Sequence, residues 1–75
     1  MIVKGNSEML KMLMLMNGYS LKKLSEKSGV SYSTVRSVII YDRQTTSETA
    51  LKIAMALGKD VTELFSIKEV KENVQ

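Results

Sequence analysis

Arg36 is the only charged residue between Tyr32 and Ile40. If that stretch is helical, Val35 and Val38 face inward, and Tyr32, Ser33, Arg36 and Ser37 share the outward face. A guanidinium is a planar fork of N–H donors. It fits the O6 and N7 acceptors of a guanine edge, and it fits a phosphate equally well. The residue type leaves these two targets open. Tyr32 has three options: stacking on a sugar, touching a methyl group, or packing back on the preceding segment.

Basic side chains flank this face. Lys22, Lys23 and Lys27 precede it, and Arg43 and Gln44 follow it. Residues 1–43 hold seven Lys and Arg against three Asp and Glu, a net +4, whereas residues 44–75 hold four against five, a net −1. The basic excess therefore lies in the half that carries Arg36, which suits attraction to phosphates. The plainer reading of each lysine is a solvated surface charge.

Other chemistries are poorly supplied. The 75 residues include no Cys and no His, so a zinc site or a Ser-His or Cys-His nucleophile pair is nearly excluded. No general base, metal site or phosphate loop suggests itself, and neither enzymatic activity nor a cofactor is expected. No apolar run approaches the length of a membrane span, and the opening MIVKGNS has too little apolar length for a secretory signal. A cytoplasmic protein that does not enter membranes is the expectation. At 44% hydrophobic and 25% charged, the composition is that of a folded chain, and its length is that of one domain.

The elements that must position Arg36 are marked by Gly5-Asn6, Asn17-Gly18, Gly29, the polar stretch Asp42 to Ser47, and Gly58. Five helices are expected. The first runs from about Ser7 to Met16 with Ser7 as its cap, the second from Leu21 to Ser28 after Ser20, and the third from Tyr32 to Ile40 after Ser31. The fourth runs from Ser47 to Leu57, capped by Thr45 (with Glu48 at capping-box spacing) or by Thr46. The fifth starts after Asp60, again with Glu63 at capping-box spacing. No alternating strand pattern persists, so no sheet is expected. The predicted core is Leu10, Leu13, Leu24, Val30, Val35, Val38, Leu51, Ala54, Leu57, Val61, Leu64 and Phe65.

The segment GYSLKKLSEKSGVSYSTVRSV, continued by SETALKIAMALG and DVTELF, resembles the phage-repressor (Cro/cI-type, XRE) helix-turn-helix regulators over about residues 7–65. The resemblance implies an all-α, compact five-helix lambda-repressor-like domain whose second and third helices form the helix-turn-helix. It also implies binding to double-stranded operator DNA, commonly as a homodimer. On that pattern Tyr32, Ser33 and Ser37, with Arg36 beside them, face base edges, while Ser31 and Thr34 approach the backbone or thymine methyls. Lys22, Lys23, Lys27, Arg43 and Gln44 are further candidates for the backbone. The chain departs from the pattern in three places. Leu21 stands where the family often has a phosphate-gripping Gln, and Ser25 stands where Ala is common. The Glu-x-Gly that commonly follows the third helix is replaced around Ile39, Ile40 and Tyr41. That loss leaves two outcomes open: a longer third helix, or Tyr41 folded back over the core.

Two features lie outside the resemblance. The first helix reads EMLKMLMLM, so Met9, Met12, Leu15 and Met16 form a candidate patch for a protein partner, unless Ile2-Val3 or the tail covers it. Domain limits are set at residues 1–66 and a tail at 67–75, in which Ile67, Val70 and Val74 have helical spacing, as either a short amphipathic helix at a dimer seam or a frayed end. Ile39, Ile40 and Tyr41 with Leu64 and Phe65 form a second candidate dimer surface. The expected function is a sequence-specific DNA-binding regulator, a repressor that blocks polymerase. The rival is an interaction module such as an antitoxin or anti-repressor that works through the Met-rich helix.

Overall fold

A computed structural model describes residues 2–68. The order of elements is β1 (Ile2–Gly5), α1 (Ser7–Asn17), α2 (Leu21–Ser28), α3 (Tyr32–Ile39), α4 (Ser47–Leu57), α5 (Val61–Leu64) and β2 (Phe65–Lys68). Each helix begins where a short polar side chain accepts a backbone N–H of the first turn, a bond that the helix itself cannot supply. Asn6, Ser20, Ser31, Thr46 and Asp60 do this in turn. Asn6, not Ser7, therefore caps α1, accepting from the Met9 N–H at 3.1 Å. At α4 the cap is Thr46 rather than Thr45. Asp60 and Glu63 form a complete capping box, as their spacing suggests.

The fold is not purely helical. β1 and β2 pair antiparallel, with Ile2 opposite Lys68 and Gly5 opposite Phe65, and Thr45 bridges to the other side of Val3. Four-residue strands are too short for alternation to stand out in sequence, and the pairing joins residues sixty or more positions apart. β2 runs across the boundary between residues 66 and 67. Ile67 lies in this strand rather than in a helix, while Val70 and Val74 lie outside the described residues.

The core is one cluster in which α1, α2, α3, α4, α5 and both strands take part. Leu10, Leu24, Val35, Ala50, Ile53 and Ala54 are fully buried. The buried face of α4 is Ala50, Ile53, Ala54 and Leu57, so Ala54 and Leu57 lie where expected, while Leu51 is 48% exposed and Ala50 and Ile53 are buried in its stead. Both faces of SETALKIAMAL carry apolar residues, so periodicity alone does not choose between them. Val61 is half-buried against the core, and Val3, Met14 and Ile39 join it. Ile39, Leu64 and Phe65 are interior, so of the second candidate dimer surface only Ile40 and Tyr41 are exposed.

Candidate nucleic-acid interface

The corner between α2 and α3 is fixed by small residues. Gly29 leaves α2 with φ +75, a left-handed conformation that costs an L side chain energy and a glycine little. The Ser25 hydroxyl donates to the Val30 carbonyl across this corner. The Ser28 hydroxyl accepts from the Val30 N–H at 3.2 Å, so both backbone groups of Val30 are satisfied. The Val30 side chain itself is buried. Leu21 packs partly against the core, so that position serves packing and offers no polar group.

The corner presents α3 with its apolar face inward, on Val35, Val38 and Ile39. Tyr32, Ser33 and Arg36 are exposed and Ser37 is half-buried. The exposed Ser31 hydroxyl caps α3, accepting from the Thr34 N–H at 3.3 Å and donating to the Thr34 hydroxyl at 2.8 Å. Thr34 is half-buried. Lys22, Lys23 and Lys27 stand exposed on α2, and Arg43 and Gln44 stand exposed in the loop after α3. Among the described residues no charged or polar side chain is buried, so every charge here faces solvent.

α3 stops at Ile39, with Ile40 as its C-cap, one residue earlier than expected. Asp42 then takes φ +54, a left-handed turn without a glycine. Asp and Asn tolerate this region better than other L residues. Asp42 is held there by its side chain, which pairs with Lys4 at 3.2 Å and accepts from the Ser7 hydroxyl at 3.3 Å. The backbone closes the same loop, with the Arg43 N–H on the Ser37 carbonyl at 3.0 Å and the Thr45 N–H on the Val3 carbonyl at 2.9 Å. Tyr41 does not fold over the core. It is exposed, and its hydroxyl accepts from Arg36 Nη2 at 3.1 Å, with the guanidinium carbon 5.5 Å from the ring centre. Sequence reasoning missed this pair because five residues is not a spacing at which helical side chains meet.

Elsewhere, Met9, Met12, Leu15 and Met16 are exposed, Leu15 at 81%, and Val3 is buried in the core instead of covering them. Among the described residues no three His, Cys, Asp or Glu side chains gather as a metal site, and no helix is long and apolar enough to cross a membrane.

No curated protein and no solved structure matches the chain. A family model described as Helix-turn-helix matches residues 10–64, which takes in the α2–α3 corner and the helices that pack on it. The chain belongs to the Cro/cI-type (XRE) helix-turn-helix family of DNA-binding regulators.

Proposed function

We propose that this regulator is a repressor that binds operator DNA with α3 in the major groove. The observation that carries this reading is the solvent-facing row Tyr32, Ser33 and Arg36, with Ser37 at its edge, on a helix anchored by its opposite face. In this reading those four residues meet base edges. Lys22, Lys23, Lys27, Ser31, Thr34, Arg43 and Gln44 meet the sugar-phosphate backbone and set the register. Ser31 contributes from the cap of α3 and Thr34 from its first turn. The described residues, both strands included, act as the DNA-binding unit, and the protein works in the cytoplasm. One α3 reads too few base pairs for selectivity, so two copies related by a two-fold axis read half-sites about one helical turn apart. Bound there, the dimer blocks polymerase without any chemical step.

Selection of bound duplexes from a random pool tests this. An inverted repeat with half-sites about 10 base pairs apart is expected. A pool that stays random after selection would refute the reading.

A second reading is favoured by the exposed Met9, Met12, Leu15 and Met16 on α1. A flexible thioether surface suits a protein partner, as in an antitoxin or anti-repressor. Its signature is a stoichiometric partner that is lost when Met12 and Met16 become Lys, with no DNA retained.

A further inference from the structure

Tyr41 reaches Arg36 only because of how the chain leaves α3. The helix ends at Ile39, and Asp42 turns the backbone through φ +54. The loop is then tied down at three places. The Asp42 carboxylate is held by Lys4 and Ser7, Arg43 is bonded to Ser37, and Thr45 is bonded to Val3. Tyr41 lies between Ile40, whose N–H donates to the Arg36 carbonyl, and Asp42, so its backbone is fixed from both sides. An exposed arginine on a helix otherwise samples many rotamers.

We propose that Tyr41 is the positioning residue for the DNA contact of Arg36, with Asp42 holding Tyr41 in place. This rests on the DNA-binding reading above. The Tyr41 hydroxyl takes one N–H of Nη2 and the ring lies beside the guanidinium. Among the described residues the other N–H donors of Arg36 have no partner, and they can form a fork toward a base edge. Restraining the side chain before binding lowers the ordering cost that binding would otherwise carry. The role belongs to selective binding. It adds no charge, so it leaves the general attraction to phosphates unchanged.

The test measures binding of the full chain to its selected duplex and to an unrelated duplex at one salt concentration. Tyr41→Ala is expected to weaken the first by about three- to tenfold, the scale of ordering one long side chain, and to leave the second unchanged. Tyr41→Phe keeps the ring and loses the hydroxyl, so it falls between wild type and Tyr41→Ala. In an Arg36→Ala background, Tyr41→Ala is expected to cost nothing more. Unaltered affinity of Tyr41→Ala overturns the proposal. So does equal weakening on both duplexes, or a loss that persists in the Arg36→Ala background, which would give Tyr41 a DNA contact of its own. A wild-type protein that selects no duplex removes the DNA-binding reading and this role together. Wild-type selection with an indifferent Tyr41 removes this role alone.

Discussion

The Ser25 hydroxyl donates to the Val30 carbonyl, so the last turns of α2 and the entry to α3 are joined by a side chain as well as by packing. An Ala here would be small enough for the helices to approach but would have nothing to donate. Ser25→Ala should therefore cost about 1 kcal/mol, the net worth of one hydrogen bond whose acceptor is left part-buried. Urea denaturation should show it as a lower midpoint with an unchanged slope. A midpoint equal to wild type would mean that water replaces the bond at no loss.

Much of the fold was legible because helix boundaries are local. Ser20, Ser31 and Asp60 cap the helices that follow them, and Gly29 supplies the positive φ required at the corner. Long-range pairing was not legible. Gly5 reads as loop punctuation, yet it ends β1, where an added Cβ would come within 2.6 Å of the Leu10 side chain and 3.0 Å of Phe65. Only the folded chain brings those residues together. For the candidate site, the outward set on α3 follows from helical period once Val35 is placed inside. The Tyr41 contact depends on the path of a loop, which hydrophobic pattern does not encode.

Asp42 invites a comparison of two substitutions. Both Asp42→Ala and Asp42→Gly remove the bonds to Lys4 and Ser7, which are largely solvent-exposed and worth little. Only alanine also carries a Cβ into φ +54 without a polar side chain to compensate. Asp42→Ala should therefore be less stable than Asp42→Gly by about 0.5–1 kcal/mol, after allowing for the greater freedom of glycine in the unfolded chain. Thermal unfolding of the pair checks this, and the reverse order would show that the left-handed turn costs alanine less than glycine loses through its freedom in the unfolded chain.

Asp60 supplies a pH dependence. The backbone N–H of Thr62 at 2.9 Å, and then its hydroxyl at 2.8 Å, hold the Asp60 carboxyl below its ordinary value, outweighing a small opposing effect of desolvation. A carboxyl with a lowered folded-state pKa binds its proton more readily in the unfolded chain. Its contribution is therefore complete above the unfolded value of about 3.9 and lost as pH falls through the lower folded value. Asn also caps helices but does not titrate. Wild type should exceed Asp60→Asn in stability at neutral pH, and the gap should close as pH falls below about 4. A gap that does not vary with pH would assign the difference to shape instead of charge.

Arg36 separates function from stability. Its side chain is exposed, and among the described residues its only partner is the exposed Tyr41. Arg36→Ala should then shift folding stability by less than about 1 kcal/mol, the scale of an exposed cation–π pair. If Arg36 forks onto a guanine, the selected duplex should lose about 1–3 kcal/mol while unrelated DNA loses almost nothing. If it grips a phosphate instead, both duplexes should weaken alike, and the dependence of log affinity on log salt should become shallower by about 1. Titrations of both duplexes at several salt concentrations therefore identify the target of this side chain. Wild-type affinity for both after the substitution would remove Arg36 from the interface.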